Sequence, residues 1–291
     1  MASIKNIKRR IASVSNTQKI MKAMDLVAAS KLQKAKSRLN DIRPLFDNLR
    51  QMMDGIKTSI ATIELGFDEE APPFTDEREV KNIAYIVLTS DRGLCGGFNV
   101  NVSKEALSLI ESYVGKDEKI IAVGSKGSEY FRRRQKNVVK KYPSASETTV
   151  FDDAEAIGNL VSDMYITGEV DEVYMVYTHF ETVMSHTPCV EKLLPIRADA
   201  DTDSAADTMM YEPDVRTFIS LAVPMYLNSS IYAAMVESTV CENASRMTSM
   251  DAAARNATEI IDDLTLEFNR KRQGIITQEI TEIVSGANAL K

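Results

Sequence analysis

The stretch MKAMDLVAASKLQKAKSRLNDIR, residues 21–43, contains neither glycine nor proline, and it decides how the fold begins. The whole segment 1–43 lacks both residues, and so does the 49-residue segment 225–273. Glycine and proline normally interrupt helices, whereas both segments are rich in the helix-forming residues Ala, Met, Lys, Glu and Leu. The sequence therefore predicts a long helix at each end of the chain.

Apolar residues recur in both segments at a spacing of three or four. The first series is Ile4, Ile7, Ile11, Val14, Met21, Met24, Ala28, Leu32, Ala35, Leu39 and Ile42, and the second is Leu227, Ile231, Ala234, Cys241, Ala254, Ile261, Leu264, Phe268 and Ile275. Such a narrow stripe is typical of a coiled coil. A helix of about 65 Å with one apolar stripe needs a long partner, so we expect the two termini to pair antiparallel. Two separate amphipathic helices are the alternative.

The middle of the chain alternates between strand and helix patterns. Apolar, β-rich runs at 82–89, 119–123, 172–178 and 189–196 are separated by helical patterns at 102–114, 125–134 and 152–166. Alternation of this kind predicts a small, Rossmann-like α/β domain with a mostly parallel sheet. The predicted domains are an N-terminal coiled-coil helix at 1–60, the α/β domain at 75–200 and a C-terminal coiled-coil helix at 209–291.

Charge is distributed unevenly along the chain. Residues 1–39 carry a net charge of +9, while the remainder carries −16. A basic arm on an acidic body indicates an anionic partner, either nucleic acid or an acidic protein surface. An organellar transit peptide has a similar composition. The few cysteines, Cys95, Cys189 and Cys241, favour a reducing compartment over a disulfide framework.

Two segments could carry chemistry, and neither matches a known pattern. The loop SDRGLCGGFN, residues 90–99, follows a predicted strand, where phosphate-binding loops lie, but it lacks the glycine order of a dinucleotide site. Its glycines are better explained by a tight turn. His179, His186 and Cys189 do not have the spacing of a metal site, and a strand-to-strand turn is the favoured interpretation. We predict no catalytic residues, no metal and no cofactor.

Three motifs give the chain a family resemblance. They are IKNIKRRIASVSNTQKIMKAMDLVAASKLQKAK at the start, SDRGLCGGFN in the middle and NRKRQGIITQEITEIVSGANAL at the end; the segment ESTVCENASRMTSMDAAARNATEIIDDL fits as well. Together they resemble the γ subunit of F-type ATP synthase, from Ile4 to Leu290. The resemblance implies a central rotor shaft that couples ion flow through the membrane c-ring to ATP synthesis or hydrolysis at β-subunit sites, with no active site of its own.

The implied partners are the α and β subunits of an α3β3 hexamer, the ε subunit and the c-ring. Nucleic acid is not among them, and contact with the membrane is indirect, through the c-ring. An acidic loop of β is the implied target of the basic arm. The implied location is the cytoplasmic face of the bacterial plasma membrane, as a peripheral protein. Because the match begins at residue 4, the basic N-terminus is expected to be mature arm rather than presequence.

The resemblance also implies roles for individual residues. Contacts with the α and β subunits are expected from Arg272, Gln273, Thr277, Glu279, Arg92, Met24, Arg9, Arg10 and Arg246. Contacts with ε and the c-ring are expected from Tyr211 and Glu212. Chloroplast members carry an inserted dithiol segment; this chain has no paired cysteines of that kind, so redox gating is not expected. The rival hypotheses are a nucleotide-binding enzyme with helical arms and a nucleic-acid-binding coiled coil.

Overall fold

The computed structural model describes residues 4–63, 74–75, 78–143, 149–196 and 215–289. The chain forms two compact units, residues 1–29 with 246–291, and residues 30–245. The described helices are α1 (Ile4–Ile63), α2 (Phe98–Ser112), α3 (Ser125–Arg132), α4 (Phe151–Ile166) and α5 (Val215–Ala289). The described strands are β1 (Asn82–Leu88), β2 (Asp117–Val123), β3 (Val138–Tyr142), β4 (Glu172–Phe180) and β5 (His186–Leu194).

The first unit is an antiparallel pair made by the start of α1 and the end of α5. The Nε2 atom of Gln18 donates to the Oγ1 atom of Thr258 over 2.7 Å. Eight residues earlier in α1, the charge of Arg10 acts on Glu267, which lies later in α5. An earlier residue of α1 thus lies near a later residue of α5, so the two helices are antiparallel. The seam buries Ile7, Ala28, Ala254, Ala257 and Leu264. The predicted antiparallel coiled coil is confirmed.

One predicted seam residue is wrong. Ile275 has 45% of its surface exposed, whereas Leu264, earlier in the same stripe, has 7%. The physical reason is the register of the pair. The described part of α1 begins at Ile4, six residues before Arg10, so it ends opposite a point about six residues beyond Glu267. The apolar stripe of α5 continues past that point, beyond the described part of α1.

The second unit contains a five-stranded sheet in the order β3-β2-β1-β4-β5. Strands β3, β2, β1 and β4 run parallel, and β5 pairs antiparallel with β4 as a hairpin. The mostly parallel, Rossmann-like sheet predicted from the sequence is therefore confirmed.

Helices cover both faces of the sheet, which explains the continuous apolar runs of its central strands. Strand β1 points Ile83, Tyr85 and Val87 to the face covered by α2 and α3. It points Ala84, Ile86 and Leu88 to the opposite face, covered by α4 and the first part of α5. Successive side chains of β1 therefore point alternately into two hydrophobic cores, one on each face of the sheet.

The sheet edges differ from the sequence-based prediction. Strand β3 was not predicted, because its short sequence VVKKY places Lys140 and Lys141 on an exposed edge, where lysine blocks further strand pairing. Strand β5 begins at His186 rather than at Cys189 and includes Pro188. An edge strand tolerates proline because the missing N–H would face away from the ladder.

By length and composition alone, α5 contains an 18-residue window apolar enough to cross a membrane, with a mean hydropathy of 1.3. However, 61% of that window is buried inside the protein. This burial is what the core helix of a folded domain shows, and the covering residues are the sheet face described above.

Candidate partner-binding surfaces

The end of α5 presents four of the predicted contact residues. Arg272, Gln273, Thr277 and Glu279 are all exposed and helical. Gln273 and Thr277 are four residues apart and share one face, whereas Arg272 and Glu279 are seven apart and share another. The backbone is held by the helix itself, and the Oγ1 atom of Thr281 donates to the carbonyl of Thr277 over 2.8 Å. This segment offers polar groups on more than one side.

Apolar side chains accompany these polar groups. Five are large and exposed, namely Ile275, Ile276, Ile280, Ile283 and Val284. Exposed apolar side chains in such number on one helical segment are typical of interaction sites. Sequence reasoning placed the first of them in the coiled-coil seam and did not single out the others. The sequence did hold a signal for them, because apolar residues continue along α5 past the point that lies opposite the start of α1.

The remaining helical candidates also lie in the first unit. Arg9 and Arg10 are exposed on α1, and Met24 is half-buried along the same helix. Arg246 is half-buried on α5. The charge of Arg10 contributes to lowering the pKa of Glu267, after the larger effect of a hydrogen bond and ion pair from Lys271 at 2.8 Å. The start of α1 therefore lies close enough to the segment just before Arg272 for the charges of Arg10 and Glu267 to interact.

Arg92 lies in the second unit, on an exposed and internally bonded loop. The hydroxyl of Ser90 donates to the carbonyl of Arg92 over 2.6 Å, and the Oδ1 atom of Asn99 accepts from the backbone N–H of Ser90 at 2.8 Å. Ser245 of α5 donates to the carbonyl of Cys95 over 2.6 Å. Gly96 has a φ of 54°, which a residue with a side chain adopts at a cost. Hydrogen bonds therefore hold the loop in place, and Gly96 allows a tight turn, which is the explanation that the sequence analysis favoured.

The start of α3 shows why this edge of the sheet is a poor phosphate site. The Oδ1 atom of Asp91 accepts hydrogen bonds from the backbone N–H of Ser125, at 2.9 Å, and from its hydroxyl, at 2.7 Å. A carboxylate of the chain itself therefore occupies the position at which a helix N-terminus would hold a phosphate. At Gly124 a Cβ atom would lie 2.3 Å from the carbonyl oxygen of Thr89, so the glycine allows close backbone approach.

The two histidines do not converge. Phe180 pairs with His186 and His179 pairs with Thr187 across the hairpin, so the histidine side chains leave opposite faces. The Nδ1 atom of His179 lies 2.9 Å from the Oε1 atom of Glu237. Burial lowers the pKa of His186. The predicted strand-to-strand turn is confirmed, and His186 cannot join His179 around one ion.

Tyr211 and Glu212, the residues expected to contact ε and the c-ring, lie outside the described residues. Among those described, the structure brings Arg9, Arg10, Met24, Arg246, Arg272, Gln273, Thr277 and Glu279 into the first unit and places Arg92 in the second. The described geometry offers long helices, a partnerless helix end and an internally bonded loop.

Comparison with known proteins gives the family. The ATP synthase family model matches residues 3–290. The ATP synthase gamma chain of Chlorobaculum parvum is 39% identical, with 100% of both chains covered. That of Alkaliphilus metalliredigens is 41% identical, with 99% of both chains covered.

Solved structures agree in fold. A central stalk and c-ring structure of the Tetrahymena thermophila mitochondrial ATP synthase contains a chain that is 26% identical, with a TM-score of 0.62, covering 80% of this chain and 99% of that one. A rotor chain of the Euglena gracilis mitochondrial ATP synthase has a TM-score of 0.66 at 16% identity, covering 94% and 98%. The second likeness shows the fold alone.

These features define a class of protein: a non-catalytic, coiled-coil subunit that works inside a larger assembly. Within that class, the chain belongs to the ATP synthase gamma chain family, the central-stalk subunits of the rotary complex. The complex to which it contributes is membrane-associated.

Proposed function

We propose that this chain is the rotor shaft that couples ion flow through a c-ring to ATP synthesis and hydrolysis at β-subunit sites. Its partners are the α and β subunits of an α3β3 hexamer, the ε subunit and the c-ring. It works at the cytoplasmic face of a bacterial plasma membrane, as a peripheral protein whose contact with the membrane passes through the c-ring. The observation that carries this proposal is the exposed end of α5, which continues beyond the described part of α1 and presents both polar and apolar groups.

The physical requirement for such a shaft is differential contact. A ligand or partner shifts a conformational equilibrium only by its difference in affinity for the states. A rotating helix end with different side chains on different faces meets each of three β subunits with a different surface. Arg272 and Glu279 on one face, and Gln273 and Thr277 on another, supply that asymmetry.

Further contacts are proposed for the same function. The exposed Arg92 is a shaft-to-β contact, and hydrogen bonds from Ser90 to Asn99 and to the carbonyl of Arg92 hold its loop in place. Arg9 and Arg10, exposed on the basic arm, face an acidic loop of β. Met24 and Arg246 contact the hexamer from the paired region. Tyr211 and Glu212 are proposed for the foot.

The test is a double variant, Arg272→Ala with Gln273→Ala, in a complex reconstituted from this chain with α and β subunits. We expect weaker ATP hydrolysis or weaker assembly, and reduced ATP-driven ion pumping when the c-ring and the remaining subunits are present. Arg133→Ala is the matched control, because Arg133 is an exposed arginine on the α/β sheet domain that no motif assigns to the hexamer. Unchanged assembly, hydrolysis and pumping in the double variant would refute these site assignments.

A further inference from the structure

Leu94, in the 90–99 loop, adopts a backbone conformation that favours glycine. Its φ is 62°, in the left-handed region, where a Cβ atom crowds the following carbonyl oxygen. Glycine adopts this region freely and asparagine and aspartate with some ease, so a bulky leucine there is unusual. Strain of this kind persists only where surrounding contacts enforce it, and it is concentrated at functional sites.

Two of the other described residues with a side chain and a positive φ are held by packing inside the chain. Phe74 is 3% exposed, its ring stacks on that of Tyr165, and its carbonyl accepts a hydrogen bond from Ile196 at 2.9 Å. Thr149 is also 3% exposed, and its hydroxyl lies 3.0 Å from that of Thr239. Burial and hydrogen bonds therefore account for both conformations.

Gln135 has a positive φ because it ends a helix. Its backbone N–H donates to the carbonyl of Arg132 over 3.0 Å, and the N–H of Lys136 donates to the carbonyl of Phe131 over 3.1 Å. These are the two hydrogen bonds of the Schellman motif, in which the residue just after a helix is left-handed. The φ of 59° at Gln135 thus belongs to the end of α3.

Neither explanation applies to Leu94. It is 61% exposed, so burial does not select a leucine at this position. The loop is anchored on both sides of it: the hydroxyl of Ser90 donates to the carbonyl of Arg92, and the hydroxyl of Ser245 donates to the carbonyl of Cys95, each over 2.6 Å. These anchors explain why the backbone turns sharply here, but not why the turning residue carries a large apolar side chain.

The glycine that would suit this conformation stands one position earlier. Gly93 does not have a positive φ, and a Cβ atom on it would meet nothing within 4 Å among the described residues. Neither the backbone nor the available space therefore requires glycine at 93, while the left-handed position 94 holds a leucine. A turn selected for its conformation alone would have these two residues in the opposite order. An apolar side chain at 94 beside bare backbone at 93 suits a partner that lies close against the loop.

The position of the loop in the second unit indicates which partner this is. The loop is bonded to Ser245, the last residue of α5 in this unit. The next residue, Arg246, and the part of α5 that follows carry the contacts proposed for the hexamer. Tyr211 and Glu212, proposed for the foot, precede the other end of α5. The loop therefore lies at the end of the unit from which α5 continues towards the hexamer contacts.

We propose that Leu94 binds an apolar pocket on a β subunit, beside an acidic group that faces Arg92. This contact rests on the shaft function proposed above and adds a residue to it. Arg92 and Leu94 are both exposed and two positions apart, so one loop presents a cation and an apolar group together. The hydrogen bonds from Ser90 and Ser245 hold the loop in this conformation before the partner binds, and little conformational freedom is lost on binding.

The test is reconstitution of the full chain with α and β subunits. A fixed amount of α and β is titrated with the chain, and the chain concentration that gives half-maximal ATP hydrolysis is measured. Leu94→Asn removes the apolar side chain but keeps a residue that tolerates a left-handed conformation. We expect the half-maximal concentration to rise about tenfold, because burial of most of a leucine side chain contributes about that factor to affinity. Leu94→Met keeps an apolar side chain of similar volume and should lose less affinity than Leu94→Asn.

Gln135→Asn is the matched control, because Gln135 is also exposed and left-handed but ends α3 instead of belonging to the 90–99 loop. It should leave the half-maximal concentration unchanged. Thermal unfolding of the full chains checks the fold, and both asparagine variants should melt within about 2 °C of the unmodified chain. A larger fall for Leu94→Asn would show that the side chain acts within the chain and would overturn the proposal.

The remaining outcomes separate this contact from the shaft function. If the unmodified chain does not support ATP hydrolysis with α and β, the shaft function fails and the Leu94 contact fails with it. If the unmodified chain does support hydrolysis and Leu94→Asn has the same half-maximal concentration, only the Leu94 contact is overturned, including the case in which Leu94→Asn weakens binding of ε instead. Equal losses in Leu94→Asn and Gln135→Asn would also overturn it.

Discussion

The carboxylate of Asp91 caps the first turn of α3 by accepting two hydrogen bonds from Ser125, at 2.9 Å from its backbone nitrogen and 2.7 Å from its hydroxyl. The two residues are 34 positions apart, and they join the end of β1 to the beginning of the helix that follows β2. This capping ties the 90–99 loop to the start of α3. It also places a negative charge, supplied by the chain itself, at the N-terminus of α3.

Removing that cap should destabilise the second unit. Asp91→Ala deletes the acceptor of both bonds, and we expect a loss of about 1 kcal/mol in the free energy of unfolding, as for other N-terminal helix caps. Urea unfolding followed by circular dichroism measures it. Asp91→Asn keeps an acceptor oxygen and should lose less. If both variants unfold at the midpoint of the unmodified chain, the bonds to Ser125 do not stabilise the fold.

Gly158 should not tolerate a side chain. A Cβ atom there would lie 1.8 Å from the Oδ1 atom of Asn228, so Gly158→Ala forces the buried Asn228 side chain out of its position against α4. Overpacking of this kind costs about 1–3 kcal/mol. Gly286→Ala is the matched control, because Gly286 is also helical but has nothing within 4 Å. It should be neutral or slightly stabilising. Thermal unfolding of the two variants compares them directly, and an equal shift in both would contradict the close approach at Asn228.

Substitution of two leucines on α5 should distinguish the coiled-coil seam from the solvent-exposed face by its effect on stability. Leu264 is 7% exposed and Leu266, two positions later on α5, is 58% exposed. Leu264→Ala should lower the free energy of unfolding of the first unit by about 2–3 kcal/mol, because it removes buried apolar surface and leaves a gap. Leu266→Ala should change it by less than about 0.5 kcal/mol. Comparable losses in the two variants, measured by urea titration, would place the seam elsewhere.

Cys189 should be a slow thiol in the folded chain. Burial, with smaller contributions from Glu237 and Glu191, raises the pKa of Cys189 from 9.0 to about 11. Because the thiolate is the reactive form, its alkylation at pH 8 should be about 100-fold slower in the folded chain than in urea. Mass spectrometry of the peptide that contains Cys189 measures both rates. Equal rates would mean that the thiol is not held protonated.

The same shift has a consequence for stability. Between pH 9 and pH 11 the folded chain keeps the proton of Cys189 while the unfolded chain has lost it. The stability that this group contributes is therefore fully present below pH 9 and is lost as the pH rises through 11. Cys189→Ala should flatten that part of the profile of unfolding free energy against pH. An unchanged slope would assign the dependence to other groups.

Much of the fold could be predicted because its signals are local. The helices α1 and α5 follow from helix-forming composition and three-to-four spacing, and β1 follows from a run of β-favouring residues. Strand β3 was missed because its lysines mark an exposed edge rather than a core. Ile275 was misplaced because a stripe of apolar residues does not reveal where its partner helix begins. The roles of Arg272 and Gln273 came from motif resemblance and stay predictions.

By itself the sequence determined which segments are helical, which are extended and to which family the chain is similar, because those properties depend on neighbouring residues and short motifs. Only the tertiary structure decided which apolar residues are covered, as the contrast between Leu264 and Ile275 shows. It also placed Lys34 and Arg38 along the same pocket as Asn243, about 200 positions away in the chain. Burial and convergence depend on contacts between distant segments, and the register of those contacts is set by packing that no local pattern encodes.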